Sequence, residues 1–444
     1  MNLTTEQIMA LAPDAASVKA GRGLAHAAKW PTLGQSADAL WGECQGSGSK
    51  PYQVSIDLSG PAFKCTCPSR KFPCKHGLGL LLLAVEKSVT VHTGDSPPWV
   101  ADWLTARRGK VEQQAVAAAR KKEVPVDAET AAKRTAKRLS RMSEGGAELA
   151  RWLTDQVRHG LAAYPQQPAT YFAGVTARMV DAQLPGLVNE VARLESLIHS
   201  GDGWPQRVVG QLGRMFLMAE GLSRFATLPT ALQGDLRAVL GWAMDKEEVL
   251  ANPQRVTDEW CVVGQVFTER APLWERRTWL LGRTHAQPML LLDFMHGQRS
   301  FPAPLIVGVS FHADLAFYPS AYPLRALLVN PPESVRPLHE PFPALYDFDA
   351  ALATRAEALA ANPWLMTYPF MIDQVIPLRR NGVWWLRDVQ GAELPLQMTD
   401  RDAWEFLAIS GGQPLRVFGE WSDNELRVLG AWADGFHSLG SAEN

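Results

Sequence analysis

The stretch from Cys65 to His76 reads CTCPSRKFPCKH, and it decides how the N-terminal part of the chain folds. It holds three of the five cysteines in the 444-residue sequence and ends in a histidine. Closely spaced thiolates with an imidazole are the ligands of a four-coordinate zinc site. One residue separates Cys65 from Cys67, and one separates Cys74 from His76, so each pair can present two ligands from a tight turn. We predict that these four residues bind one zinc ion.

The predicted ligand set leaves no open position on the metal. Three thiolates and one imidazole complete a tetrahedral shell, so the pattern predicts a structural zinc ion without catalysis at the metal. The alternative is a group of buried or disulfide-bonded cysteines, but cytosolic chains seldom keep disulfides. His92 is a competing candidate ligand, although it lies sixteen residues beyond His76. Cys44 and Cys261 stand alone and are expected to be small core residues.

The flanking segments predict a small folded module around the metal. Residues 39–44 are typical of a strand, and the Gly-Ser-rich residues 46–49 are typical of a turn. In residues 52–58 apolar and polar side chains alternate, which predicts a second strand with one buried face. The apolar run 78–85 predicts a buried helix that begins at the last ligands. Because so small a module has a small core, we expect removal of zinc to unfold residues 30–90 locally.

A C-x-C motif followed by C-x-H, placed after a β-hairpin and before a helix, resembles the SWIM-type zinc finger. Cys65, Cys67, Cys74 and His76 match its ligand positions in type and order. The resemblance implies a zinc-binding module that holds nucleic acid or protein and has no catalytic activity of its own. The longer layout is similar to that of bacterial SWIM-finger proteins, some of which are associated with MoxR-type AAA ATPases and von Willebrand A-domain proteins. The resemblance therefore implies such a protein, or else DNA or RNA, as the partner.

The composition is that of a soluble globular protein, with 46% hydrophobic and 20% charged residues. No apolar run reaches the roughly 18 residues of a membrane span, so no membrane contact is expected. The first residues lack the basic start and apolar core of a secretory signal. Unpaired thiols without a signal are typical of a protein in a reducing compartment. The sequence thus predicts a cytoplasmic protein.

The formal net charge of −2 conceals an uneven distribution of charged residues. Up to residue 141 there are 20 Lys and Arg against 12 Asp and Glu, whereas from residue 142 onward there are 24 against 34. The basic excess is greatest in residues 107–141, with 11 basic and 4 acidic side chains. Such a cluster can bind the phosphates of a nucleic acid, and the alternative is a solvated linker. The predicted anion contacts are Lys64, Arg70, Lys71, Lys75, Arg120, Lys121 and Lys122.

Changes in sequence pattern divide the chain into four parts. Residues 1–105 are predicted to form the zinc module, and residues 106–145 a basic linker closed by a Gly-Gly pair. In residues 146–255 apolar side chains recur with helical spacing, which predicts a helical domain. Residues 256–444 carry short strand patterns with frequent Gly and Pro, which predicts a β-rich α+β domain. The predicted fold class is a multi-domain α+β protein.

Local signals in the C-terminal region predict particular turns and helices. The Asn-Gly pair at 381–382 predicts a type I′ hairpin turn, and residues 403–409 predict a helix. Ser422 with Glu425 matches a helix cap. Trp384 is expected to pack in the core, with a stacking platform for a nucleic-acid base as the alternative.

Known catalytic signatures do not occur in the sequence: we find no P-loop, H-E-x-x-H, G-x-S-x-G or kinase motif. His285, His296 and His312 lie within 28 residues, with Asp293 and Asp314 nearby. A second metal or acid–base site there is an alternative, but surface or satisfied core histidines are the simpler interpretation. We therefore predict a zinc-binding adaptor or scaffold, with an enzyme site somewhere in residues 257–444 as the alternative.

Overall fold

An N-terminal sheet module, a helical bundle and two further β-sheets follow one another along the chain. The computed structural model describes residues 5–13, 15–46, 50–58, 62–69, 71–86, 92–107, 109, 128–168, 170–270, 273–296, 301, 305–338 and 340–440. The predicted α+β class, with a small β module, a helical middle and a β-rich C-terminal region, is confirmed. Among the helices in these ranges, none combines the length and the apolar character needed to cross a membrane.

The N-terminal module is a sheet of short strands with helices packed against it. Its strands are β1 (Thr32–Gln35), β2 (Ala39–Cys44), β3 (Tyr52–Asp57), β4 (Ala62–Cys65) and β5 (His92–Thr93). Its first helices are α1 (Thr5–Ala10), α2 (Ala15–Arg22) and α3 (Lys75–Val85). The strand order is β4-β3-β2-β1-β5. The predicted hairpin is present, because β2 and β3 pair antiparallel with Leu40 opposite Ile56.

Helix α3 is buried on every side along its middle turns. The side chains from Leu78 to Leu83 are all buried, which agrees with the continuous apolar run in the sequence. Helices α1 and α2 pack against α3 from one side, and strands β2 to β4 pack from the other. A Cβ atom added at Gly79 would lie 2.8 Å from the Cβ atom of Leu24, so glycine permits the close approach of the chain after α2.

A further helix, α4 (residues 98–107), packs on the same module. Trp99 and Trp103 are four residues apart and lie on one helical face, which covers Trp41 of β2. The guanidinium of Arg107 donates a 3.0 Å hydrogen bond to the Asp57 carboxylate at the end of β3. Residues 98–107 therefore belong to the N-terminal module.

The central region is a bundle of amphipathic helices, as the helical spacing predicts. The helices are α5 (Ala128–His159), α6 (Ala173–Asp181), α7 (Pro185–Ile198), α8 (Trp204–Ser223), α9 (Thr230–Leu240) and α10 (Lys246–Leu250). Their apolar faces form one core, in which residues such as Leu149, Leu187 and Leu212 are fully buried.

The predicted linker, residues 106–145, extends too far into the bundle. Helix α5 begins at Ala128 and continues through the Gly-Gly pair without a break. Gly145 and Gly146 are where neighbouring elements approach most closely. At Gly145 an added Cβ would lie 2.3 Å from the Cβ atom of Ala182. At Gly146 it would lie 3.0 Å from the Leu222 side chain. These glycines therefore serve helix packing and do not end the helix.

The described residues of the C-terminal region form two sheets and two helices. The first sheet holds β6 (Arg255–Arg270), β7 (Leu273–Gly282), β8 (Pro288–His296), β9 (Val309–Phe317), β10 (Arg325–Leu328) and β11 (Glu333–Pro337). The second holds β12 (Tyr368–Arg380), β13 (Val383–Arg387), β14 (Glu393–Pro395), β15 (Leu415–Ser422), β16 (Glu425–Trp432) and β17 (Phe436–Ser438). The helices are α11 (Phe348–Ala361) and α12 (Asp400–Ser410).

The first C-terminal sheet is covered on both faces. On β6, Trp260 and Val262 belong to the same core as α3 of the N-terminal module. The alternate residues Cys261 and Val263 belong to the core shared with the second sheet. Successive side chains of a strand point to opposite faces. Because both sets are fully buried, both faces of β6 are covered. The N-terminal module, the first sheet and the second sheet are thus stacked in three layers.

A buried charge cluster joins the two C-terminal sheets. Glu420 of β15 is 2% exposed. Its carboxylate accepts hydrogen bonds from Arg277 at 2.9 Å and from the indole N–H of Trp279 at 2.7 Å, both on β7. A buried carboxylate is tolerated only when it is paired and hydrogen-bonded in this way.

The local predictions for the C-terminal region have mixed outcomes. The hairpin at 381–382 is confirmed, since both residues have positive φ angles of 52° and 80° between β12 and β13. The helix over 403–409 is confirmed as part of α12, and Trp384 packs in the core. The helix cap at Ser422 is wrong, because Asp423 and Asn424 form a turn with positive φ angles between β15 and β16.

Candidate metal centre

The four predicted ligands come from two short segments that meet at the edge strand of the N-terminal sheet. Cys65 is the last residue of β4, and Cys67 follows in the loop. Cys74 has extended backbone (φ −76°, ψ 164°) and occupies the position immediately before α3, and His76 lies in the first turn of that helix. The end of one strand and the start of one helix therefore position all four side chains.

The donor atoms have the spacing that a tetrahedral metal requires. Cys65 Sγ lies 3.7 Å from His76 Nδ1, and Cys74 Sγ lies 4.0 Å from the same nitrogen. All four donor atoms lie within 4.8 Å of one another. Bonds of about 2.3 Å to sulfur and about 2.0 Å to nitrogen place tetrahedral ligand atoms roughly 3.5–3.8 Å apart. The residues are thus suited to one zinc ion, with Nδ1 as the histidine donor.

The protein surroundings favour a thiolate at Cys74. Its pKa is lowered to about 4, chiefly because the Cys65 thiol donates a hydrogen bond to it, with further donors in His76 and the backbone N–H of Gly77. Its place at a helix N-terminus acts in the same direction. The same hydrogen bond, together with burial, raises the pKa of Cys65. Neighbouring thiols in one site all lose their protons only beside a cation, and bound zinc supplies that charge.

The inner side of the site is closed by aromatic rings. Cys74 and His76 are buried, whereas Cys65 and Cys67 are partly exposed. The His76 ring lies 4.9 Å from the ring of Tyr52, centroid to centroid. A Cβ added at Gly77 would lie 3.0 Å from the Phe63 ring. This packing holds the helix start against β3 and β4.

His285, His296 and His312 do not come together as a second metal site. In the part of the chain that the structure describes, only the Cys65–His76 group brings three or more Cys, His, Asp or Glu donors together. His285 Nδ1 instead lies 2.9 Å from the buried Asp258 carboxylate, and the His285 side chain is 52% exposed. His312 pairs across the sheet with Glu259. The contact between His285 and Asp258 agrees with the simpler interpretation, in which these histidines are surface residues or hydrogen-bonded residues of the core.

The predicted anion contacts are only partly within the described residues. Lys64, Lys71 and Lys75 are exposed around the zinc loop. Arg70, Arg120, Lys121 and Lys122 lie outside the described residues. The exposed lysines give the surface beside the metal site a positive charge.

A cleft beside the zinc loop was not predicted from the sequence. One wall carries Phe63, Phe72 and Pro73 of the loop region, and the facing wall carries Gln265, Phe267 and Arg276 of the first C-terminal sheet. The cleft is shallow, with about 90 Å³ of water-accessible space, and is open to solvent. Phe72 is 40% exposed there and meets the Phe63 ring edge-on at 5.8 Å. The two walls lie about 200 positions apart in the chain, so no local pattern could have revealed the cleft.

The Arg276 guanidinium at the cleft is already neutralised within the protein. It donates hydrogen bonds of 3.0 and 2.6 Å to Asp293 and lies 4.5 Å from the ring of Phe301. Arg276 therefore adds no unpaired positive charge to the cleft.

Comparison with known protein families identifies two segments of the chain. Residues 52–84 match the model of the SWIM zinc finger, and residues 137–240 match the model of the SWIM-associated four-helix bundle domain. The first match covers all four zinc ligands, and the second begins within α5, inside the segment predicted as a linker. Among curated proteins and solved structures, none matches the chain.

Proposed function

Since the chain carries a SWIM zinc finger ahead of its associated helical bundle, we propose that it is a cytoplasmic, non-enzymatic adaptor whose finger binds another protein. The observation that carries the proposal is the aromatic cleft between the zinc loop and the first C-terminal sheet. The zinc ion would fix the loop that forms one wall, so metal binding and partner binding would be coupled. The metal itself would take no part in chemistry, because its ligand shell is closed.

The chemistry of the cleft indicates which protein segment it would take. Phe63, Phe72 and Phe267 offer apolar and aromatic surface for an apolar side chain of the partner. The exposed Lys71, the neighbour of Phe72 in the loop, favours an acidic residue beside that anchor. The occupant is thus a peptide segment with one large apolar residue next to Asp or Glu. Among the partners implied by the family resemblance, a MoxR-type AAA ATPase and a von Willebrand A-domain protein are the first to test for such a segment.

The test is selection of a random peptide library on the full-length, zinc-loaded protein. We expect an enriched consensus with an aromatic or large aliphatic residue beside acidic residues, and at least tenfold weaker binding of those peptides to Phe72→Ala. Tyr346→Ala is the matched control, because Tyr346 is an exposed aromatic residue outside the cleft lining. Zinc content measured for each variant separates loss of the cleft from loss of the metal. Enrichment without a consensus, or equal binding to Phe72→Ala, would refute the proposal.

A second candidate function is DNA or RNA binding, which the exposed Lys64, Lys71 and Lys75 favour. Three phosphate contacts would give a slope of about −3 in log affinity against log salt, and six contacts, with Arg120, Lys121 and Lys122 included, about −5. Binding of a fluorescent oligonucleotide over a salt series measures that slope. A slope near zero, or one unchanged by alanine at the three loop lysines, would exclude this function for the finger.

A further inference from the structure

Helix α8 of the bundle exposes an apolar face that the described parts of the chain leave uncovered. Its exposed positions include Val209, Gly210, Gly213, Phe216 and Leu217, none of which carries a charge. They recur at intervals of three and four residues, so they form one stripe along the helix. Val209 is 57% exposed, Phe216 41% and Leu217 53%. Three large apolar side chains on one exposed helical face indicate a surface that meets another molecule.

The two glycines in this stripe are not required by the fold of the chain itself. A Cβ atom added at Gly210 or Gly213 would meet no atom within 4 Å. Both residues lie inside the helix, where glycine destabilises by about 1 kcal/mol relative to alanine. The bundle glycines at 145 and 186 differ, because an added Cβ there would come within 2.3 Å or less of a neighbour. Small residues on an open surface leave space for the side chains of another molecule that packs against the helix.

The stripe is complementary to itself about Gly213. Val209 and Gly210 lie four and three residues before it, and Phe216 and Leu217 lie three and four residues after it. If a second copy of α8 ran antiparallel with the symmetry axis at Gly213, Phe216 of each copy would meet Gly210 of the other. Leu217 would meet Val209 in the same way. Large side chains would then fill the space above small ones, as an isologous interface requires.

The charge that flanks the stripe selects the antiparallel arrangement. Gln206 lies seven residues before Gly213 and Glu220 lies seven residues after it, so both lie on the face of the stripe. Antiparallel pairing places Glu220 of one copy opposite the uncharged Gln206 of the other, whereas parallel pairing would place the two Glu220 carboxylates together. The net charge of −2 adds little repulsion between copies.

We propose that the chain forms a homodimer through antiparallel packing of α8 against α8 of a second copy, centred on Gly213. A 20-residue helix presents a strip about 30 Å long and 10 Å wide, or roughly 300 Å². This is below the roughly 800 Å² per partner of a standard stable interface, so the dimer dissociates on dilution. Such a dimer would present two fingers together and would strengthen binding to a partner with repeated sites.

Sedimentation velocity of the full-length, zinc-loaded protein from about 1 to about 500 µM tests the proposal in the range of a weak interface. We expect a concentration-dependent dimer whose dissociation constant rises at least tenfold in Gly213→Gln. Thermal stability of that variant should stay equal or rise, because glutamine is a better helix former and its site is open. Gly174→Gln on α6, another exposed helical glycine with open space, is the matched control and should leave the dimer unchanged.

Cysteine cross-linking tests the direction of the helices. A mixture of Val209→Cys and Leu217→Cys proteins should form the mixed disulfide faster than either variant links to itself. Faster self-linking would overturn the antiparallel arrangement. A protein that stays monomeric over the whole concentration range, or a dimer that Gly213→Gln leaves intact, would overturn the proposal as a whole.

Discussion

Removal of the zinc ion should open the loop while leaving helix α3 in place. Structural zinc contributes about 10–16 kcal/mol of apparent binding free energy in small fingers at neutral pH. Helix α3 has an independent source of stability, namely the five buried leucines at 78, 80, 81, 82 and 83. At about 1.5–3 kcal/mol for each buried side chain, they contribute roughly 7–15 kcal/mol. The leucine packing is thus about as large as the zinc contribution and does not depend on the metal. Loss of the metal should therefore free residues 62–76, while the packing keeps residues 78–85 in place.

Hydrogen exchange followed by mass spectrometry, with zinc removed by a chelator or by Cys74→Ser, measures this directly. Peptides that cover residues 62–76 should lose protection, and peptides that cover residues 78–85 should keep it. Cys44→Ala is the matched control, since Cys44 is a buried cysteine outside the ligand set and its loss should leave zinc bound. Equal loss of protection across residues 30–90, as the size of the module alone suggests, would show that the leucine packing does not hold the helix.

Two further predictions concern the buried charges of the C-terminal region. Glu420→Ala would leave Arg277 and Trp279 without their shared acceptor. Urea unfolding should show that the free energy of unfolding falls by about 3–5 kcal/mol, and by less in Glu420→Gln. Equal losses in the two variants would argue against a charge-assisted contact. Burial raises the pKa of Asp258, but hydrogen bonds from His285 and from backbone N–H groups outweigh it and lower the pKa overall. The stabilisation is therefore complete above the unfolded pKa of about 3.9 and is lost as the pH falls through the lower folded value. The difference in Tm between the protein and Asp258→Asn should accordingly be larger at pH 7 than at about pH 2.5, and a constant difference would contradict this account.

The metal centre was predictable because its ligands are local in sequence. The stretch from Cys65 to His76 spans only twelve residues. The strand and the helix that flank it are also indicated by the local spacing of apolar residues. The cleft beside the centre was not predictable, because its walls come from segments about 200 residues apart. Only the packing of the N-terminal module on the first C-terminal sheet brings Phe72 and Phe267 together.

The start of α5 and the helix α11 were not predicted from the sequence, and each omission has a physical reason. In the N-terminal half of α5 the described side chains from 133 to 137 are all exposed, so no apolar stripe distinguishes that helix from a charged linker. The Gly-Gly pair has the appearance of a break, and only the neighbouring Ala182 and Leu222 show why glycine is needed there. Helix α11 is rich in alanine and has little contrast between its faces, so its period is weak in the sequence.

The shared core of α3 and β6 has a consequence for how the protein is made. The leucines of α3 leave the ribosome long before the strands that complete their core, since β9 ends about 230 residues after α3. At about 5–20 residues per second, synthesis of that interval takes roughly 10–50 s. During this time the nascent finger has an uncovered apolar surface, and the metal is the stabilising element it can acquire at once. Zinc supply during translation should therefore govern the yield of soluble protein more strongly than zinc added after the chain is complete.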